Sequence, residues 1–250
     1  MTETVLAHRE GAVLVLTLNR ADKKNALTGA MYDALTAGLI EANADPAIGA
    51  TLILGQPGIF CAGNDIKDFI GFAMNGSLGA PIIGFLKALV ANAKPLVAGV
   101  DGGAIGIGTT MILHCDYAVA SERAVFATPF VDLALVPEAG SSLIVPELMG
   151  HRLAFEMLVM GARFDAKRAA ATGLVNQVVT PGALERAAFE SAAAIAAKPR
   201  EAVAISRRLM RGDTDRLLAR IDEEAKAFAE RLKSAEARAA FEAFLSRPKS

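Results

Sequence analysis

"GVDGGAIGIGTTMILHCD", Gly99 to Asp116, is the densest glycine cluster in the chain. It continues the apolar run "PLVAGV", which reads as a strand with Pro95 at its start, where a missing N–H costs least. It ends in "TTMILHCD", which reads as a helix opened by Gly106 and Gly108. Glycines at a strand-to-helix turn let the backbone approach another group closely. A dinucleotide loop is excluded, because GxGxxG fails at Met111. A nucleotide-hydrolase phosphate loop is excluded because no GK[ST] follows, and neither GxSxG nor HExxH occurs. What remains is a helix N-terminus with unpaired N–H groups and partial positive charge. Two readings stay open on this stretch alone: tight strand–helix packing, or amides aimed at an oxygen.

A second small-residue turn has the same form. In "GIFCAGNDIKDF", Gly58 to Phe69, a strand gives way to a charged helical segment through Cys61, Ala62 and Gly63. Each turn could present one free backbone N–H to a single oxygen. Two such preorganised donors form an oxyanion hole, each worth roughly 2.7–4 kcal/mol of transition-state stabilisation.

Around these turns the chain alternates. Ala12–Arg20, "ATLILG", "DYAVAS" and "AVFATP" read as strands, and the stretch from Leu27 to Asn43 reads as a helix with Leu27, Met31, Leu35 and Leu39 in register. That alternation predicts an α/β fold. From about Ala139 the pattern turns helical, interrupted by the strand-like "LVNQVVT". Residues 213–246 place Leu217, Ile221, Phe228, Leu232, Phe241 and Phe244 among many charges, the pattern of one or two amphipathic helices seeking a partner surface. A chain of 250 residues with 53% hydrophobic residues suits one large domain or a domain with an appendage. Its net charge of −1 gives no pull toward nucleic acid or an acidic membrane surface. No uninterrupted apolar run approaches the ~20 residues of a membrane span. The N-terminus lacks a signal-peptide pattern, and the final "RPKS" does not match the peroxisomal "SKL" address. Cys61 and Cys115 lie far apart, in keeping with a reduced cytoplasmic protein.

The segments "RADKKNAL", "FCAGNDIKDF", "GAIGIGTTMILHCDYAVASERAVFATPFVDLALVPEAGSS" and "MGHRLAFEMLVMGARFDAKRAAATGLVNQVV" occur in this order up to Val179. As an ordered set they resemble the enoyl-CoA hydratase/isomerase superfamily, the crotonases. The resemblance implies a crotonase-like spiral of ββα units over residues 1–195. It also implies a helical trimerisation region over 196–250, with homotrimers that often pair into hexamers. The substrate it implies is an acyl-CoA thioester, with no separate cofactor and no metal. By this match Asn64 and Ile107 supply the two oxyanion amides. Ala62, Gly63, Gly106 and Gly108 stay small beside the thioester, and Asp65 and Ile66 continue the same turn. Lys24 and Lys67 lie toward the coenzyme phosphates and adenine, with Arg247 and Lys249 as further candidates. Lys24 is equally readable as part of a solvated loop, and Asp65 as a helix cap.

An oxyanion hole stabilises an enolate but removes no proton. The two glutamates of the family's hydratases match Thr110, or its immediate neighbour, and Phe130, and neither carries a carboxylate. The acid left in the region is Glu138 in "LVPEAGSS". The motif resembles the peroxisomal-type Δ3,Δ2-enoyl-CoA isomerases, whose glutamate occupies this place, and implies a role in fatty-acid β-oxidation. One carboxylate suits a 1,3-proton shift, and burial among Leu135, Val136 and Ala139 would raise its pKa. The plainer alternative is a carboxylate that merely opens a helix. The other activities weighed are hydration of a 2-enoyl-CoA, a further acyl-CoA reaction of the fold, and a silent CoA-binding protein. Glu138 argues against the last.

Overall fold

Strand Val13–Leu18 is buried on both faces, with Leu14, Leu16 and Leu18 on one side and Val13 and Val15 on the other. A strand buried on both faces must lie inside a layered α/β molecule. The protein, seen in a computed structural model that describes residues 3–66, 68, 71 and 78–246, is built that way.

The elements run β1 (Val5–Glu10), β2 (Val13–Leu18), α1 (Gly29–Ala44), β3 (Ala50–Leu54), β4 (Ile59–Cys61), α2 (Ala80–Ala91), β5 (Leu96–Val100) and β6 (Gly103–Ile105). Next come α3 (Ile107–Thr110), which tightens into a 3-10 turn over Met111–His114, then β7 (Tyr117–Ser121), β8 (Val125–Ala127), α4 (Ser141–Met149) and α5 (His151–Leu158). The chain ends with β9 (Phe164–Asp165), α6 (Ala166–Ala171), β10 (Gln177–Val179), α7 (Leu184–Ala196), α8 (Arg200–Arg211), α9 (Thr214–Leu232) and α10 (Ala235–Leu245).

Among the described residues the strands form a six-stranded sheet, β1-β2-β3-β5-β7-β10, and a four-stranded sheet, β4-β6-β8-β9. Strands β3, β5 and β7 enter the first sheet in parallel, and their followers β4, β6 and β8 enter the second, also in parallel. Each strand pair is followed by a helix, so the expected spiral of ββα units is what the chain forms. Helix α7 covers the outer face of the large sheet, placing Leu184, Ala188, Ala192 and Ala196 on Leu52, Leu54, Val97 and Val119. Asp101, in the glycine cluster, ties the start of the second sheet together. Its carboxylate accepts the Gly58 N–H at 2.7 Å and the Ser121 hydroxyl at 2.6 Å, and it pairs with Arg123.

The helical pattern after Ala139 is interrupted at Gly150, whose φ of 80° and ψ of 156° are not helical. The amphipathic C-terminal stretch is a pair of helices, one of the two forms expected, with Ser234 capping the second by accepting the Ala237 N–H. Its apolar side chains Ile221, Phe228 and Leu232 are buried against the core of the same chain. Phe244 and Leu245, at the end of the second helix, stay exposed. Residues 196–246 are further tied to the rest by Arg207, which bonds Asp116 at 2.8 Å, and by Arg200, which reaches the Ile48 carbonyl at 3.0 Å. Among the described residues no helix is long and apolar enough to cross a membrane.

Candidate active site

The spiral sets the two glycine turns side by side. Strand β4 pairs with β6, Cys61 opposite Ala104, so the residues that follow each strand leave the sheet together. A Cβ built on Gly106 would lie 3.9 Å from the Gly63 Cα. One built on Gly108 would lie 2.7 Å from the Cys61 carbonyl oxygen, a separation that only glycine permits. Here the chain needs glycine for close approach, as its density in the sequence suggests.

The amides at the two turns differ in what they bind. Ala62 donates to the Lys24 carbonyl and Asp65 to the Leu27 carbonyl, while Leu27 donates to the Gly63 carbonyl. Asn64 thus forms a parallel bridge with Leu27 in which its own N–H takes no part. Gly106 donates to Ala127, and Thr109 and Thr110 donate back to Gly106. Ile107, the first residue of α3, keeps helical geometry, so its branched side chain imposes no strain. Among the described residues neither the Asn64 nor the Ile107 N–H has a hydrogen-bond partner.

Glu138 lies in the turn before α4, only 2% exposed, and among the described residues neither carboxyl oxygen has a hydrogen-bond partner. Burial first, then the negative charge of Glu224, push its pKa up to about 8, and the nearby Thr110 hydroxyl offsets part of that rise. Its charge in turn acts on two other buried groups, Tyr32 and Cys61. Burial is the main reason both resist ionisation, the Cys61 thiol being pushed up to about 12. Glu138 therefore acts together with Thr110, Cys61 and Tyr32, of which Cys61 and Thr110 belong to the two glycine turns. The turn that carries it is strained: Ala139 adopts φ +62°, which costs a non-glycine residue about 1–2 kcal/mol. His114 holds that residue by donating from Nε2 to the Ala139 carbonyl at 2.8 Å. Burial depresses the imidazole to about 4, so it is neutral and its one proton is on Nε2.

The other expected site residues are placed as follows. Ala62 is exposed, and the exposed Lys24 neighbours it through their backbone bond. Asp65 is engaged by Arg20 at 2.8 Å. Ile66 is half-buried in the same turn. Phe130 is buried and packs edge-on against Phe228 of α9, at 6.5 Å between ring centres. Thr110 is buried with its hydroxyl unpaired. Lys67, Arg247 and Lys249 lie outside the described residues.

Three residues had escaped the sequence reading. The Tyr32 hydroxyl donates to the Asn64 side-chain oxygen and fixes the first turn from α1. Asn25, fully buried, donates to the Ile59 and Phe60 carbonyls and locks "RADKKNAL" onto β4. Glu224 reaches the Glu138 turn from α9. The left-handed φ of 53° at Asn25 is a conformation asparagine tolerates, so the "KKN" turn carried a usable signal. Tyr32 and Glu224 lie within regular amphipathic helices and carried none.

The family model for enoyl-CoA hydratase/isomerase matches residues 8–250. The chain belongs to the enoyl-CoA hydratase/isomerase family. Rat enoyl-CoA delta isomerase 2 is 34% identical over 225 residues, covering 88% of this chain and 57% of that protein. A Rhizobium meliloti protein described as a probable enoyl-CoA hydratase is 34% identical over 194 residues, covering 78% of this chain and 76% of its own. Among solved structures, Pseudomonas aeruginosa OdaA superposes with a TM-score of 0.94 at 40% identity, covering 98% of this chain and 100% of that one. Family members named as isomerase and as hydratase are thus equally similar, and overall identity does not choose between the two reactions.

Proposed function

We propose that this protein moves a carbon–carbon double bond within an acyl-CoA thioester, converting a 3-enoyl-CoA to a 2-enoyl-CoA. The observation that carries this reading is Glu138: a buried carboxyl with both oxygens unpaired, its pKa near 8, beside two adjacent glycine turns whose Asn64 and Ile107 amides are free. In the proposed step the Glu138 carboxylate takes a proton from C2. The electron pair of that C–H bond forms the C1–C2 double bond of an enolate. The charge rests on the thioester oxygen, held by the two amides. The electrons then return through C2–C3 as the C3–C4 bond becomes single, and Glu138 delivers its proton to C4. Proton, charge and electron count balance, and no water enters. Coenzyme A arrives as part of the substrate, its phosphates toward the exposed Lys24. A base with a pKa near 8 is well matched to such work near neutral pH.

The residues at Thr110 and Phe130 support isomerisation over hydration, because neither can activate water as a carboxylate would. The test is direct. Purified protein is given a 3-enoyl-CoA and, separately, a 2-enoyl-CoA, and conjugation is followed. Isomerisation is expected, with weak hydration. Glu138→Gln keeps the shape and should lose ~10²–10⁴-fold in turnover while still binding the substrate. Efficient hydration with poor isomerisation overturns the reading. We further propose that the working form is a homotrimer or a pair of trimers.

A further inference from the structure

Glu224 belongs to α9, 86 positions beyond Glu138 in the chain, yet it is built into the turn that carries Glu138. Its Oε2 accepts the Gly140 N–H at 2.6 Å and its Oε1 accepts the Ser142 N–H at 2.9 Å. Both oxygens are thus engaged by amide donors at the start of α4. Burial raises the Glu224 pKa above the usual carboxylate value, while the bonds from Ser142 and Gly140 and the Arg220 charge pull it back toward the anion. Arg220, one turn earlier on α9, donates to the Ser142 hydroxyl at 3.3 Å and adds positive charge on the same side. Glu224 is only 6% exposed. The first turn of α4 could have been capped locally, as Thr28 caps α1 and Asp165 caps α6. It is capped instead by a buried anion from a distant helix, placed where its field reaches Glu138.

We propose that Glu224 is the positioning residue for Glu138: by holding the Gly140 and Ser142 amides it aims the Glu138 carboxyl and fixes a second carboxyl beside it. This rests on Glu138 being the acid–base group of the proposed isomerisation. The arrangement explains how the strained backbone at Ala139 and Gly140, with φ of +62° and +71°, stays in one conformation. The turn is clamped from both sides, by His114 on the Ala139 carbonyl and by Glu224 on the next amide. The titratable groups acting with Glu138 are Tyr32 from α1, Cys61 from β4 and Glu224 from α9, and none of them is a cation. Of these, Tyr32 and Cys61 stay neutral at ordinary pH, because burial raises both. Burial is the larger cause of the raised Glu138 pKa, and Glu224 is the charged group that adds to it.

The experiment compares pH profiles of kcat/KM on a 3-enoyl-CoA for the full-length protein and two variants. Glu224→Gln keeps the volume and removes the charge. Its rising limb should move to lower pH, and its kcat should fall by about 10²-fold, the cost of a misplaced catalytic group, with KM changed less than threefold. Glu224→Asp keeps the charge on a shorter arm. It should leave the limb in place and lose part of kcat. An unmoved limb in Glu224→Gln, with kcat within threefold of the parent, overturns the proposal. So does an equal loss in both variants with neither limb moved, which marks a purely structural role. Should Glu224→Gln not fold, Glu224→Asp decides: a fall in kcat per folded molecule at constant KM supports the proposal, and an unchanged kcat defeats it. Glu138→Gln, run alongside, separates the two readings. If it remains active, the assignment of the base fails; if it is inactive while the Glu224 variants behave as the parent, the present inference alone fails.

Discussion

At the residue scale, Glu138 exchanges stability for reactivity. A carboxyl held near 8 in the folded state titrates near 4.3 once unfolded. Between those values the folded protein holds a proton that the unfolded chain has released. Stability from this group is therefore complete below about pH 4 and is lost as pH rises through 8. Replacing Glu138 by Gln removes that loss. Glu138→Gln should be more stable than the parent at pH 8–9 by on the order of a few kcal/mol and so unfold at a higher temperature, and the gap should close toward pH 5. Thermal unfolding at fixed protein concentration across pH 5–9 measures this directly. A parent whose stability relative to the Gln variant is flat over that window would show that Glu138 is not buried as a neutral acid. The same position was legible in the sequence through the resemblance of "LVPEAGSS" to the isomerase segment that carries a glutamate there. Its burial was expected from Leu135, Val136 and Ala139 around it, but the Glu224 charge beside it was not, since it comes from a segment far away in the chain.

At the element scale, the site is a pairing of two strand ends, and its precision depends on how closely they approach. Gly108 is the tightest point, where an added methyl would meet the Cys61 carbonyl at 2.7 Å and its side chain at 2.9 Å. Backbone cannot yield as a flexible side chain does, so Gly108→Ala should force the turns apart. Turnover should drop by about 10²-fold. Gly84→Ala is the matched control: Gly84 is exposed within α2, nothing lies within 4 Å of the added methyl, and helix propensity favours the change by up to about 1 kcal/mol. Steady-state kinetics and unfolding curves of the two variants separate site geometry from general glycine loss. Equal activity in both would mean that the paired turns do not shape the site. The long strands at this scale were readable, because β2, β3, β5 and β7 are continuous apolar runs between turn residues. The short ones were harder. Strand β6 is three residues inside the glycine cluster, and β1 has one buried residue in six, so neither carries a period to detect. They exist because neighbouring strands supply their hydrogen bonds.

At the scale of the whole molecule, α9 buries Ile221, Phe228 and Leu232 in the core of its own chain, while α10 leaves Phe244 and Leu245 exposed. Apolar side chains remain in the open on α8, where Leu209 is 75% and Met210 86% exposed, and around α5, where Phe155 is 48% and Met160 65% exposed. Between α8 and the body of the protein runs a groove of about 770 Å³ lined in part by Leu113, Leu148, Ile195 and Met210. Large apolar side chains left exposed in this number mark a contact surface. In the homotrimer proposed above, a second and third copy of this chain are its occupants. The two ends of this surface belong to different parts of the spiral, α5 and α8. A ring in which α5 of one copy meets α8 of the next would cover both with a single repeated contact, and closing that ring leaves no face unused. The protein should therefore run at three or six times its 26.0 kDa chain mass by light scattering at micromolar concentration. Met210→Glu places a charge in that contact without touching Glu138 or the glycine turns. It should lower the mass toward that of one chain while Glu138 remains buried. Because α8 also carries Arg207 and Arg211, which bond the Asn92 and His114 carbonyls, loosening the contact should reach the His114 clamp on the Glu138 turn. Turnover per chain should then fall on dilution in the variant but stay constant in the parent. A monomeric parent with full activity would refute the contact and its link to the site together.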